Sequence, residues 1–265
     1  MEKKFTLGII GAGNMASAIL GGILRAGLLP SARIIVSDRD EEKLAVMAQN
    51  GVFVTTDNRK VASSCEYIMF AVKPQVAPAV FEEIADSLAA GTVISIMAGV
   101  TVAKLRAALG ERNYVRVMPN TPALVGEGMS AIAFGEGGRS QFVLDVFSSV
   151  GKVAELDESQ FDAVTSLSGS GPAYVYMFIK ALIDGGVENG LDPDTAKLLA
   201  VQTVRGSAKM VGLSTRPLTE LIDAVCSKGG TTIQAVDSFR EDGLEDIVKK
   251  GMVKCKKRSE ELANA

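Results

Sequence analysis

The chain has 265 residues, of which 47% are hydrophobic and 22% charged, and its formal net charge is −3. This composition is typical of a globular protein with a large core, and the slight negative charge argues against nucleic acid as a partner. Histidine is absent, which excludes Ser-His-Asp and Cys-His nucleophile systems and, with only three cysteines, argues against a metal site of the zinc type.

The cysteines are Cys65, Cys226 and Cys255, an odd number with wide spacing. This pattern indicates reduced thiols rather than a disulfide framework. The apolar N-terminal stretch is too short and too glycine-rich for a signal sequence, and no run of about 18 apolar residues predicts a membrane span. We therefore expect a cytoplasmic protein that has no membrane partner.

Short apolar runs alternate with helical patterns through the first half of the chain. Strands are predicted at 5–10, 33–37, 67–72, 92–97 and 114–118, and helices at 14–27, 40–49, 76–89 and 101–109. Fully apolar strands that alternate with helices predict a doubly wound parallel sheet of the Rossmann type, covered on both faces.

The alternation ends near residue 155, and only helical patterns follow, at 173–190, 193–212 and 218–227. We predict an α/β fold in which residues 1–159 form a dinucleotide-binding domain and residues 160–265 an all-helical domain. Small residues on these helices permit close helix contact. Packing within one chain and self-association as a dimer or higher homo-oligomer both remain open.

A glycine pattern, Gly11-x-Gly13-x-x-Ala16, directly follows the first predicted strand and opens the first helix. Gly11 permits a tight turn, and Gly13 lets a pyrophosphate approach the backbone. The N–H groups of the helix start attract an anion. The pattern predicts a dinucleotide cofactor, and a tight turn without a ligand is the alternative.

Ser37 ends the second predicted strand, and Asp38 and Arg39 follow it. Asp38 and Arg39 give opposite indications about the cofactor. Asp38 would accept hydrogen bonds from the ribose hydroxyls of NAD, whereas Arg39 would pair with the 2′-phosphate of NADP. Either side chain could instead be only solvent-exposed. The sequence therefore leaves NADPH and NADH both open.

Six stretches of the sequence, which together span nearly the whole chain, resemble a single family. They are GIIGAGNMA at 8–16, FAVKPQ at 70–75, AGVTV at 98–102, RVMPNTPALVGEGMS at 116–130, LSGSGPAYVYMFI at 167–179 and CSKGGTTIQAV at 226–236. The chain is similar to the Δ1-pyrroline-5-carboxylate reductases. The resemblance implies reduction of a cyclic imine to L-proline by NAD(P)H, the last step of proline biosynthesis. It also implies a Rossmann domain followed by a helical dimerisation domain.

The resemblance assigns site residues by position. The cofactor-binding positions that it implies are Ile10, Gly11, Ala12, Gly13, Asn14, Met15, Ser37, Asn58, Ala71, Val72, Lys73, Pro74, Met97, Ala98 and Gly99. The substrate loop matches Gly229, Gly230, Thr231 and Thr232. Two residues depart from the family pattern. Met97 replaces a small residue, which would narrow that part of the site, and Lys228 replaces a proline.

Imine reduction suits a chain without histidine because the enzyme contributes mainly positioning and electrostatics. A threonine hydroxyl can hold the ring nitrogen and relay a proton from water. Thr231 and Gln234 have the spacing of a capping box, which would occupy Thr231 with helix initiation. We therefore predict Thr232 as the hydroxyl that holds the imine nitrogen.

Three further residues are candidates. Lys73 precedes Pro74 at the carboxyl end of a strand, where open α/β sheets bind ligands, so we place it with Thr232 among the catalytic residues. A surface lysine that starts a helix is the alternative. Ser170 and Asn120 are predicted to bind substrate, and their alternatives are helix initiation and ordinary turn chemistry.

Two other functions fit part of the pattern. One is a dehydrogenase of the same two-domain plan that acts on a hydroxy acid or on prephenate. The Gly-Gly-Thr-Thr loop and the missing histidine count against it. The other is a dinucleotide-binding regulatory protein without catalysis, which would keep both loops.

Overall fold

The structure is a computed structural model that describes residues 4–89 and 91–264. The chain divides into two compact units. The first unit consists of the chain up to Ser170 together with the segment from Cys255 onward. The second unit is Gly171–Lys254.

An eight-stranded sheet forms the centre of the first unit, with the strand order β3-β2-β1-β4-β5-β6-β7-β8. The strands are β1 Phe5–Ile10, β2 Ile34–Ser37, β3 Phe53–Thr55, β4 Cys65–Phe70, β5 Thr92–Ser95, β6 Asn113–Met118, β7 Gly128–Phe134 and β8 Gly151–Glu155. Neighbouring strands are parallel except β6 and β7, which are antiparallel. The predicted Rossmann-type sheet is confirmed, and all five predicted strands belong to it.

Three strands, β3, β7 and β8, were absent from the sequence prediction. β3 is a short strand at one edge of the sheet, and its Phe53 is exposed. β7 begins with a glycine, and β8 carries Lys152 and ends in Glu155, so neither is a continuous apolar run. Their pairing partners, rather than their own pattern, make them strands, as expected from the context dependence of strand formation.

Helices cover both faces of the sheet. They are α1 Asn14–Arg25, α2 Glu41–Ala48, α3 Asn58–Ser64, α4 Ala77–Ile84, α5 Val102–Leu109, α6 Gln141–Ser148 and α7 Phe161–Val164. Successive side chains of a strand point to opposite faces, so Ile9 joins the cluster beneath α1, α2 and α6, and Ile10 joins the cluster beneath α3, α4 and α5. The two clusters hold the carboxyl ends of the strands in place.

The second unit is all-helical, as predicted. Its helices are α8 Gly171–Glu188, α9 Pro193–Leu213, α10 Leu218–Val225, α11 Thr231–Glu241 and α12 Leu244–Asn264, the last of which continues into the first unit. Large apolar side chains remain exposed on α8, α9 and α10, among them Met177, Leu198, Leu213 and Val225.

The division between the units lies later than the predicted boundary at residue 159. Phe161 of α7 packs against Ala131 and Ala133 of β7 in the first unit. The end of α12 is attached to the same region because the Ser259 hydroxyl donates to the Asp162 carboxylate at 2.6 Å. A helical pattern does not reveal which unit a helix packs against, so α7 and the end of α12 could not be assigned from sequence.

Within residues 4–89 and 91–264, no helix is long and apolar enough to cross a membrane. The same residues contain no group of three or more His, Cys, Asp or Glu side chains that is arranged to hold a metal ion.

Candidate active site

The glycine loop after β1 is bonded to two neighbouring strand ends. The Gly11 N–H donates to the Ser37 carbonyl at 2.7 Å, and the Ala71 N–H donates to the Ile10 carbonyl at 2.8 Å. Gly11 has a φ of 105°, and a Cβ there would lie 2.7 Å from the Ala71 carbonyl oxygen. Only glycine fits this turn.

The start of α1 is open. Gly13 is its N-cap, with φ −78° and ψ −179°, and no described side chain caps the helix. A Cβ at Gly13 would meet no described atom within 4 Å. Uncapped N–H groups beside open space suit a phosphate group. The loop predicted at 10–15 therefore fits the pyrophosphate of a dinucleotide.

Asp38 supports this loop directly. Its carboxylate accepts from the Ala12 N–H at 2.7 Å and from the Asp40 N–H at 3.0 Å. Because a carboxylate has about four acceptor positions, these bonds leave capacity for a ribose hydroxyl. The predicted contact with the ribose stays a prediction, and the link to the glycine loop is a role that the sequence did not indicate.

Ser37 and Asn58 come together beneath the end of β2. Ser37 is 0% exposed and donates its hydroxyl to Asn58 Oδ1 at 2.8 Å, and Asn58 is 5% exposed. The Ser37 side chain therefore does not line open space, and the cofactor contact that the resemblance implies for it stays a prediction. The hydrogen bond between them gives the Ser37 hydroxyl and the Asn58 amide oxygen a partner in the interior, which the sequence pattern could not show.

The charges beyond β2 are partly paired. Asp40 caps α2 by accepting from the Glu42 and Lys43 N–H groups. Its side-chain hydrogen bond with Lys43 holds the pKa of the Asp40 carboxyl below the usual range. Arg39, with 72% of its side chain exposed, is the cation that the prediction assigned to a 2′-phosphate.

The ends of β4 and β5 carry further residues that the resemblance assigns to cofactor binding. Pro74, Ala98 and Gly99 line one cleft of about 810 Å³, together with side chains of α4 and α5. Lys73 is exposed just before the 3-10 turn Pro74–Val76, and its catalytic role stays a prediction.

Met97 does not narrow the site as its size predicts. Its side chain is 2% exposed and lies in the apolar cluster beneath α4 and α5. It therefore packs in the core and does not narrow an open part of the cleft.

Asn120 already has partners at both ends of its amide. Its Nδ2 donates to the Ser168 carbonyl at 3.0 Å, and its Oδ1 accepts from the Met129 N–H at 2.9 Å. These bonds connect the loop after β6 to β7 and to the turn before α8. They support the structural alternative for Asn120, and substrate binding stays a prediction.

Ser170 lies where a π-helical turn, Thr165–Gly169, meets α8. Its N–H donates to the Thr165 carbonyl at 2.8 Å, and its hydroxyl oxygen lies 3.2 Å from Cys255 Sγ. π turns are rare and often occur at functional sites. Because Cys255 is distant in sequence, its contact with the predicted substrate residue had no signal in the sequence.

In the second unit, the capping-box prediction is wrong. The N-cap of α11 is Gly230, with φ −79° and ψ 174°, and the helix begins at Thr231 without a described side-chain cap. Gly229 has a φ of 72°, and the Gly230 N–H donates to the Ser227 carbonyl at 2.9 Å. This turn starts the helix one residue earlier than predicted, so both threonines lie in the first helical turn.

The two threonines still differ in their surroundings. Thr232 lines a pocket of about 870 Å³ within the second unit, formed mainly by apolar side chains of α9, α10 and α11. Thr231 is exposed. The pocket, rather than capping, now distinguishes Thr232, and its catalytic role stays a prediction.

Comparison with known proteins identifies relatives over the whole chain. Residues 158–262 match the family model "Pyrroline-5-carboxylate reductase dimerisation", and residues 6–99 match "NADP oxidoreductase coenzyme F420-dependent". Pyrroline-5-carboxylate reductase of Pisum sativum is 39% identical, covering 99% of this chain and 98% of the relative. The Escherichia coli K12 protein of that name is 40% identical, covering 100% of both.

A solved structure has the same fold. Plasmodium falciparum pyrroline carboxylate reductase with NADP bound superimposes with a TM-score of 0.90 at 33% identity, covering 99% of this chain and 100% of that one. Identity at this level over both full lengths confirms the resemblance carried by the six stretches. The chain belongs to the pyrroline-5-carboxylate reductase family.

Proposed function

We propose that the protein reduces the C=N bond of 1-pyrroline-5-carboxylate with NAD(P)H to give L-proline, the last step of proline biosynthesis. The observation that carries this proposal is the open, uncapped start of α1 at the carboxyl end of β1, in a chain of this family. When bound, the cofactor supplies the hydride that adds to the imine carbon.

In the proposed reaction, the first unit binds the cofactor. The loop at 10–15 holds the pyrophosphate through the free N–H groups at the start of α1. Asp38 and Arg39 bind the adenosine end. The nicotinamide end of the cofactor is bound by the segment at 71–74 and by Ala98 and Gly99. Lys73 places a positive charge beside it.

Thr232 holds the substrate's imine nitrogen through its hydroxyl. An uncharged hydroxyl in a mainly apolar pocket can donate a hydrogen bond and relay a proton from water without the cost of a buried charge. The uncapped first turn of α11, with Gly229, Gly230 and Thr231, attracts the substrate carboxylate. Ser170 and Asn120 complete the proposed substrate contacts.

We propose NADPH as the main cofactor and NADH as the second. Arg39 is exposed and available to a 2′-phosphate, and the related Plasmodium structure contains NADP. Asp38 already accepts the Ala12 N–H, which lessens its weight as an indication of NADH.

We propose that the protein works in the cytoplasm as a homodimer or higher homo-oligomer. Exposed apolar side chains on α8, α9 and α10 lie within the residues that match a dimerisation model, and a second copy would bury them. Light scattering coupled to size exclusion would measure a mass of at least two chains, and a monomer at micromolar concentration would refute this part.

The activity test mixes purified protein with NADPH or NADH and pyrroline-5-carboxylate and follows absorbance at the nicotinamide band. We expect decay that depends on the imine, with L-proline identified as the product by chromatography. Absence of decay with either cofactor at micromolar protein would overturn the proposal. Cofactor binding without turnover would instead favour the regulatory alternative.

A further inference from the structure

A polar network at the end of β2 converges on Glu83, a residue outside the predicted site. Glu83 Oε2 accepts from Asn58 Nδ2 at 2.9 Å and lies 3.8 Å from a guanidinium nitrogen of Arg39. The backbone carbonyl of Glu83 accepts from Arg59 Nε at 2.9 Å. Glu83 belongs to α4, so a helix that carries no part of the glycine loop contacts two residues predicted to bind the cofactor.

The Glu83 carboxylate sets the direction of the hydrogen bonds in this network. A carboxylate accepts only, so Asn58 must turn its NH₂ group toward Glu83 and its Oδ1 toward Ser37. The Ser37 hydroxyl must then donate to Asn58, as its distance of 2.8 Å allows. Glu83 therefore fixes the orientation of two buried side chains beneath the predicted adenosine end.

The same carboxylate offsets the charge of Arg39. Arg39 has 72% of its side chain exposed and Glu83 has 27%. An exposed ion pair at this distance is weak, so a stronger anion can displace it. A phosphate monoester carries a charge of about −1.5 to −2 and would compete for Arg39.

We infer that Glu83 is a specificity-determining positioning residue that lowers the preference for NADPH over NADH. A cofactor with a 2′-phosphate must take Arg39 from Glu83 and settle beside its negative charge, whereas NADH meets neither cost. The inference rests on the proposed use of a nicotinamide cofactor and concerns only the choice between the two forms.

The central test is Glu83→Gln, which keeps the size of the side chain and removes its charge. We expect kcat/KM for NADPH divided by that for NADH to rise about three- to tenfold, mainly through a lower KM for NADPH. The matched control is Asp86→Asn, an exposed carboxylate two residues beyond α4 that makes none of these contacts, and its ratio should equal that of the parent. An unchanged or lower ratio in Glu83→Gln overturns the inference.

Two further measurements separate charge from a general structural effect. The Glu83→Gln shift should diminish in about 1 M salt, where the Debye length is about 3 Å. It should also shrink in an Arg39→Ala background, because Arg39 mediates the competition. A shift of equal size with and without Arg39 would refute that competition.

The affinities of the same variants for NADP⁺ and NAD⁺, measured by calorimetry, make the test independent of imine reduction. The affinity ratio should move as the kinetic ratio does. If the protein lacks reductase activity but Glu83→Gln still changes the affinity ratio, the proposed function is refuted and the inference about Glu83 stands. If circular dichroism shows that Glu83→Gln is unfolded, Glu83→Asp, whose carboxylate is withdrawn from Arg39, should raise the ratio by a smaller factor, and no rise would overturn the inference.

Discussion

Two helices of this protein begin in nearly the same way. The N-cap of α1 is Gly13, at φ −78° and ψ −179°, and that of α11 is Gly230, at φ −79° and ψ 174°. No described side chain caps either helix, so both present free N–H groups. The local backbone alone therefore predicts two anion-binding positions.

Their surroundings differ. The start of α1 follows a buried strand. Backbone groups at the ends of β2 and β4 bond to the loop before this helix, and the space at Gly13 stays open. The α11 start follows a turn in the helical unit, and Thr232 in its first turn lines a mainly apolar pocket. The first arrangement suits an extended phosphate group, and the second a small ligand that needs one hydroxyl. Two helix starts with the same backbone therefore predict different ligands, and the difference comes from the residues around them rather than from the N-cap glycine.

The largest effect is expected from Gly13→Val, which fills the open space at α1. Cofactor affinity measured by calorimetry should fall by about 100-fold or more, equivalent to about 2.7 kcal/mol. A Cβ at this position would meet no described atom within 4 Å, so the free energy of unfolding should fall by no more than about 1 kcal/mol. Parent-like affinity would show that the phosphates do not bind at the start of α1.

The next effect concerns the hydroxyls at α11. Thr232→Ala should lower kcat/KM for the imine by about 100-fold, because positioning and proton relay are lost, with cofactor affinity unchanged. Thr231→Ala is the matched control, since its side chain is exposed and alanine keeps the backbone N–H proposed to attract the carboxylate. Its kcat/KM should remain within about threefold of the parent. Thr232→Ser should recover most activity. Equal losses in the two alanine variants would contradict the distinction between them.

The smallest effect is expected from Gly230→Ala. A Cβ there would lie 2.2 Å from Ser227 Oγ, a side-chain atom that can move, so the free energy of unfolding in urea should fall by about 1 kcal/mol. Adding Ser227→Ala should restore most of that loss by removing the clashing atom. Stability equal to the parent in the single variant would indicate that the turn before α11 is looser than the structure has it.

Much of the fold could be predicted, since five strands are mostly apolar runs and the second half has helical periodicity. Three strands escaped prediction: β3 is a short edge strand, and β7 and β8 have mixed composition and depend on pairing. In the site, Gly11 and Gly13 were recognisable because they lie, with the expected spacing, between a strand and a helix. The burial of Ser37 and Met97, and the engaged amide of Asn120, followed from packing between distant elements.

The sequence by itself determined the family, the parallel sheet and the glycine turn between β1 and α1, because these depend on short patterns with local physical causes. The pocket that distinguishes Thr232 from Thr231 followed only from the fold. Only the tertiary structure decided that Gly230 caps α11 and that Ser170 contacts Cys255. It also placed Glu83 beside Arg39 and Asn58, residues of other elements. These outcomes depend on which backbone and side-chain groups meet across elements, and hydrogen-bond partners far apart in sequence leave no periodic trace in it.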